Sequence, residues 1–176
     1  MRYFALALLV GLGALFLWGL HRPDQGKLPS MLVGEPAPPI NLPLLPPFQA
    51  TWGKEFHLAR YLGHTPILVN IWASWCDPSC YMEAPYLEAA WKKYRGKILF
   101  VGVDTQDTQQ GGLSFVRQFG YTFPQVFDPE GQVAVAYGTY GVPETFLINQ
   151  KGDVVLRHAG PLGPQHLAQL IAKVLP

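Results

Sequence analysis

The apolar run Ile67-Leu-Val-Asn-Ile-Trp-Ala73 leads within three residues to Cys76, and Cys80 follows four positions later. This junction constrains the chain more than any other feature. The run is rich in β-branched and aromatic residues, so it reads as a strand buried on both faces. From about 79 to 95 the period changes. Met82, Tyr86, Leu87, Ala90 and Trp91 recur at helical spacing, and Gly96 stands where helices commonly end. Ile98-Leu-Phe-Val-Gly-Val103 is a second buried strand. Strand, helix, strand implies a parallel pair with a right-handed crossover. Further on, 113–119 reads as a helix stopped by Gly120, 126–128 as a short strand and 133–137 as a short helix. Strands over 145–149 and 154–158 flank a hairpin turn, and 165–174 closes the chain as an amphipathic helix. The expected class is α/β, a sheet covered by helices on both faces.

Two thiols this close at a helix start have a specific chemical use. The first faces the positive end of the helix dipole and free N–H groups, which stabilise a thiolate. The second sits about one turn in, within reach of a mixed disulfide on the first. Cys76 is thus the expected nucleophile and Cys80 the resolving thiol. A peroxidase would place Pro and Thr or Ser seven and three residues before its cysteine; Val69 and Ala73 stand there. Two cysteines in 176 residues also exclude a disulfide-stapled scaffold and a four-thiolate zinc site.

Charge narrows the partners. The chain carries 13 Lys+Arg against 12 Asp+Glu, a net charge of +1, with no basic run suited to nucleic acid. Residues 3–20, from Tyr3 to Leu20, form an 18-residue stretch without a charge. That is near the lower limit for crossing the ~30 Å hydrocarbon core as a helix. Arg2 precedes it, and Trp18 stands where an interfacial aromatic would. Residues 19–30 offer no clear small-x-small cleavage site, and the apolar run exceeds the ~7–15 residues of a signal core. The expectation is an uncleaved anchor over 1–22 that binds membrane lipid. Residues 23–47 hold eight of the 17 prolines and read as a tether and extended arm, leaving 48–176 as the globular domain.

Several motifs together resemble one family. WASWC, Cys80-Tyr-Met-Glu83-Ala-Pro85, Gly141-Val-Pro-Glu-Thr-Phe146, Gly34-Glu-Pro-Ala-Pro38 and Arg157-His-Ala-Gly-Pro-Leu162 resemble the CcmG/DsbE oxidoreductases of cytochrome c biogenesis. The related TlpA and ResA proteins are similar more loosely. The resemblance spans about 33–175 and the single N-terminal anchor. It implies a thioredoxin fold, a central mixed β-sheet flanked by helices, outside the cytoplasm at the cytoplasmic (inner) membrane. It implies a redox-active Cys76–Cys80 disulfide that reduces the cysteines of apocytochrome c before haem attachment. Electrons would come from a membrane donor of the DsbD/CcdA type. No cofactor and no metal are implied.

The resemblance also assigns supporting residues. Pro143 would be a cis-proline facing the disulfide, with Val142 backbone free to pair with a substrate strand. Glu83 would be a partly buried acid that takes protons during exchange. Glu144 would add negative field at the contact surface. Trp75, just before Cys76, is read as lying on that surface and Trp72 as core. One departure stands out: the family has two residues between its cysteines, and this chain has three, Asp77-Pro78-Ser79. An i,i+4 pair rises about 6 Å, still compatible with a disulfide. Two rival readings share these features. One is a TlpA-like reductant of a copper-site protein. The other is a Sco-like copper chaperone using Cys76 and Cys80, for which His158 is the sole plausible third ligand.

Overall fold

The computed structural model describes residues 2–20 and 31–175, apart from the side chains of 2, 5 and 6. Part of the expected tether, 23–30, lies outside the described residues. Helix α1 (Arg2–Leu20) carries the N-terminal apolar stretch, and Phe16, Leu17 and Trp18 on it are exposed. Among the described residues no helix is long and apolar enough to cross a membrane.

The central sheet follows the expected order of elements. Strand β3 (Ile67–Trp72) is buried at every position, as is β4 (Leu99–Thr105). They pair in parallel, and α3 (Ser79–Tyr94) makes the crossover between them. Helix α4 (Gln109–Phe119) starts at Thr108, whose side chain accepts from Gly111 N, and stops at left-handed Gly120. It leads to β5 (Gln125–Asp128), parallel to β4. Short α5 (Gln132–Ala136) precedes the hairpin β6 (Glu144–Ile148) and β7 (Val154–Ala159), and α6 (Pro164–Ala172) closes the fold. Strand β6 runs antiparallel to β3, giving the order β5-β4-β3-β6-β7 in a mixed sheet.

Close packing fixes one glycine in this sheet. A Cβ on Gly102 would stand 1.8 Å from Gln125 Oε1, the atom that accepts from Trp72 Nε1 at 2.9 Å. Trp72 is indeed core, stacked on Phe115 with ring centroids 4.4 Å apart.

The proline-rich arm is more than a tether. Ile40, Leu42, Leu44 and Leu45 are buried with the core, so the packed unit begins ahead of residue 48. Strand β1 (Asn41–Pro43) pairs with β2 (Glu55–His57), and α2 (Pro46–Trp52) lies between them. The arm also reaches both outer strands. Gly34 N donates to Val154 O at 2.8 Å beside β7, and Leu44 bridges Val126 of β5. Exposed sheet edges invite association, and here the chain's own arm occupies part of each edge.

Candidate active site

Cys76 lies in the loop between β3 and α3, and Cys80 is in the first turn of α3. The two form a disulfide with Cα atoms 5.4 Å apart. The third intervening residue is accommodated because Pro78 stands at the helix N-cap and Cys76 lies outside the helix. Proline has no N–H to leave unsatisfied there. Cys76 is 7% exposed and Cys80 1%, so the first sulfur is the more accessible.

The loop is held from three sides. Ser74 N donates to Asp107 Oδ2 at 2.5 Å, Tyr81 Oη to Ser74 O at 3.0 Å, and Trp75 Nε1 to Gln106 O at 3.0 Å. Within the loop the Asp77–Pro78 peptide bond is cis, and across the site so is Val142–Pro143. Cys76 Sγ lies 3.3 Å from the carbonyl oxygen of Val142. In the reduced protein that oxygen is in place to accept from the thiol. Pro143 itself is buried and Val142 half-buried, while Trp75 and Tyr140 are 58% and 64% exposed.

Two glutamates of the site are buried in opposite surroundings. Glu83 is 1% exposed and accepts from Asn70 Nδ2 at 2.8 Å and from Leu162 N at 3.0 Å. Both donors are neutral. Burial pushes its carboxyl up, and these two bonds bring it part of the way back, to about 7. Such a group exchanges a proton near neutral pH. Glu144 instead meets a cation: Arg157 Nε and Nη2 donate to its two oxygens at 2.7 and 2.9 Å. It also accepts from Tyr140 N at 2.9 Å, and it is 2% exposed. This corrects the expectation of Glu144 at a contact surface. Its carboxylate is buried and forked by a guanidinium, so it adds no net negative field there.

The sequence reading missed the partners of these acids. Asn70 is the one polar residue between Ile67 and Trp72, and that interruption of an apolar strand was the available signal. It also donates to Thr145 Oγ1 at 3.1 Å. Arg157 lies on the next strand, β7, 13 residues beyond Glu144, and the sequence alone does not pair the two side chains. Among the described residues no group of three or more His, Cys, Asp or Glu could hold a metal ion. His158 packs against His166 with ring centroids 4.6 Å apart.

The chain is similar to known proteins over most of its length. The model of the AhpC/TSA family matches residues 33–157. A thiol:disulfide interchange protein DsbE homolog of Paracoccus denitrificans is 36% identical over 158 residues, 89% of this chain and 82% of that protein. The DsbE protein of Escherichia coli is 35% identical over 166 residues, 91% of this chain and 85% of that one. A crystal structure of a DsbE-type thiol:disulfide interchange protein from Chlorobium tepidum superposes with TM-score 0.71 at 28% identity, covering 85% of this chain and all of that one. With the cysteine pair at the β3–α3 junction, these likenesses place the chain in the AhpC/TSA family, among the DsbE thiol:disulfide oxidoreductases of thioredoxin-like fold.

Proposed function

We propose that this protein is a membrane-anchored, extracytoplasmic reductant of protein disulfides, acting on the cysteines of apocytochrome c before haem attachment. The observation that carries the reading is the disulfide itself, with Cys76 the more accessible of the pair beside the Val142 carbonyl and Cys80 more deeply buried. In the reduced protein the Cys76 thiolate attacks one sulfur of the substrate disulfide. A mixed disulfide forms, and the other substrate sulfur leaves as a thiolate. Cys80, as thiolate, attacks Cys76 Sγ. The second substrate thiol is released, and the 76–80 disulfide carries away the two-electron oxidation. Glu83, one turn beyond Cys80, takes the proton that Cys80 gives up. A membrane dithiol donor of the DsbD/CcdA type restores the reduced state.

The substrate is met by Trp75, by the exposed ring of Tyr140 and by the Val142 backbone. Pro143, without an N–H, leaves Val142 free of a competing ladder bond. Residues 3–20 provide the anchor on this reading, and 48–176 with the preceding arm form the catalytic body.

Cys80→Ala, expressed in cells, is expected to accumulate a mixed disulfide between Cys76 and the physiological substrate. Non-reducing gels and mass spectrometry of the adduct identify it. Apocytochrome c in the adduct supports the reading; a copper-site protein supports the TlpA-like alternative. No adduct in Cys80→Ala, when Cys76→Ala/Cys80→Ala is equally blank, removes the assignment of Cys76 as nucleophile. A second expectation concerns topology. Protease added to intact spheroplasts is expected to digest the domain, and digestion that requires lysis would place it on the wrong side.

A further inference from the structure

Asn70 is the one polar residue between Ile67 and Trp72 of β3, and it is 1% exposed. Its Nδ2 donates to Glu83 Oε1 of α3 at 2.8 Å and to Thr145 Oγ1 of β6 at 3.1 Å. Both N–H bonds of the amide are thereby used at one end. At the other end Oδ1 is buried and meets no partner among the described residues. An orphaned acceptor in a core is costly and calls for a reason. The exchange cycle above does not use it.

The proton of Glu83 supplies the reason. Its Oε2 accepts from the backbone N–H of Leu162, which is a donor whatever the state of the carboxyl. An incoming proton therefore settles on Oε1, the oxygen that faces Asn70. A carboxylate only accepts; a protonated carboxyl also donates, and it needs an acceptor. Half a turn of the Asn70 amide puts Oδ1 where Nδ2 was. Oδ1 then accepts from Glu83 and from the Thr145 hydroxyl, which donates as readily as it accepts. The two ends of an amide are nearly alike in size, so the turn needs no repacking. One end stays unpartnered in either orientation, so the proton on Glu83 decides between them. Other titratable groups lie close by. Tyr121 is held protonated by burial and by Glu83 and Glu88. Glu88 is bonded to Thr122 and paired with Lys92. Cys80 is tied in the disulfide. His158 of β7 lies opposite Thr145, in edge contact with His166 of α6, and is the rival trigger to be excluded.

We propose that Asn70 is a positioning residue for the proton acceptor: its amide turns with the Glu83 proton, donating to the carboxylate and accepting from the carboxyl group. When Cys80 gives up its proton, the S–H bond breaks, the thiolate keeps the electron pair, and an O–H bond forms at Glu83 Oε1. The turned amide holds that proton until the carboxyl releases it. Glu83 thus keeps two partners in both forms, and neither form is stranded in the core. The part played in exchange rests on the function proposed above; the turn itself does not.

The test uses the full chain in detergent, oxidised, so that the cysteines do not titrate. Two NMR signals are followed from acid to alkaline pH: the Glu83 carboxyl carbon, and the NOE between the Asn70 Nδ2 protons and the Thr145 side chain. The NOE is expected to be strong in alkali and to fall several-fold in acid, with the midpoint of the Glu83 carbon, near 7. Glu83→Gln sets an NH2 against the Asn70 donor, and Asn70 can turn where the Leu162 N–H cannot. The amide is therefore expected to stay turned in this variant, with a weak NOE at every pH. A constant NOE in the wild type, a Glu83 carbon that does not titrate, or a strong NOE in Glu83→Gln overturns the proposal. So does a pH-dependent NOE that survives in Glu83→Gln, which would follow His158. In the reduced protein, Asn70→Leu is expected to move the pH limb of disulfide reduction upward by about half a unit or more, because the carboxylate loses more than the carboxyl does. An unmoved limb in folded Asn70→Leu means packing alone and overturns the positioning role. If Asn70→Leu does not fold, Asn70→Asp takes its place. Two facing carboxyls share one proton, so the limb is expected to split into one below and one above it. A single unmoved limb overturns the role. A turn seen in the oxidised protein alongside a blank Cys80→Ala trap would keep the amide switch and reject the proposed function.

Discussion

Glu83→Gln is expected to slow disulfide reduction at neutral pH about 100-fold and to remove the pH limb centred near 7. Resolution of the mixed disulfide requires Cys80 to lose a proton, and Glu83 is the buried acid one turn beyond it on α3. A carboxylate held by neutral donors takes that proton readily near its own midpoint. A glutamine of the same size cannot. It also leaves one of the donors, Asn70 Nδ2 or Leu162 N, facing an amide NH2. Stopped-flow exchange with a model protein disulfide between pH 5 and 9 measures both effects. A variant that keeps the wild-type limb assigns it to another group.

The same carboxyl has a stability signature with a fixed sign. Its folded midpoint of about 7 lies above the ordinary 4.5. Below 4.5 both states are protonated and its contribution is fully present. Between 4.5 and 7 the unfolded chain has lost the proton that the folded one keeps, so stability falls as pH rises. The total is about 3 kcal/mol. Tyr121, pushed up by burial and by the neighbouring Glu83 and Glu88, stays protonated and neutral over this interval. Urea midpoints from pH 4 to 8 are expected to decline in the wild type by more than in Glu83→Gln.

The elements around the cysteines were legible because their physics is local. A strand buried on both faces shows as a continuous apolar run, and α3 shows as a change of period ended by glycine. Cys76 and Cys80 could be placed on either side of the helix start from spacing alone. The arm was legible only in part. Its prolines read as a tether leading into an extended arm, but not the burial of Ile40, Leu42 and Leu44 among and after them. Proline excludes a central strand but not an extended segment laid along a sheet edge, which is what the arm is. The fate of Glu144 was illegible for another reason. Its pairing is set by Arg157, a cross-strand neighbour of Phe146 in the β6–β7 register. The same holds for Asp104, whose buried state depends on Gly112 approaching from α4.

Arg157→Met is expected to destabilise the fold by about 3–5 kcal/mol, because it leaves Glu144 as a buried charge without its partner. The Arg157 side chain is 7% exposed and that of Glu144 2%, so water replaces little of what is lost. The guanidinium also lies over the Tyr140 ring, 4.3 Å from its centroid. Methionine fills similar space but supplies neither the fork nor the cation. For a chain of this size the melting temperature is expected to drop by about 10 °C. Glu144→Gln/Arg157→Met removes the stranded charge and is expected to recover most of that loss. The single and double variants, unfolded in urea at pH 7, measure the difference. A single variant within about 1 kcal/mol of wild type would mean that Glu144 finds another partner or takes up a proton. The effect should extend to the site. Glu144 accepts from Tyr140 N, and Val142 and Pro143 lie between those two residues in the chain. Once the fork is gone, the Val142 carbonyl loses the anchor that holds it 3.3 Å from Cys76 Sγ, and folded Arg157→Met is expected to exchange disulfides more slowly than the double variant.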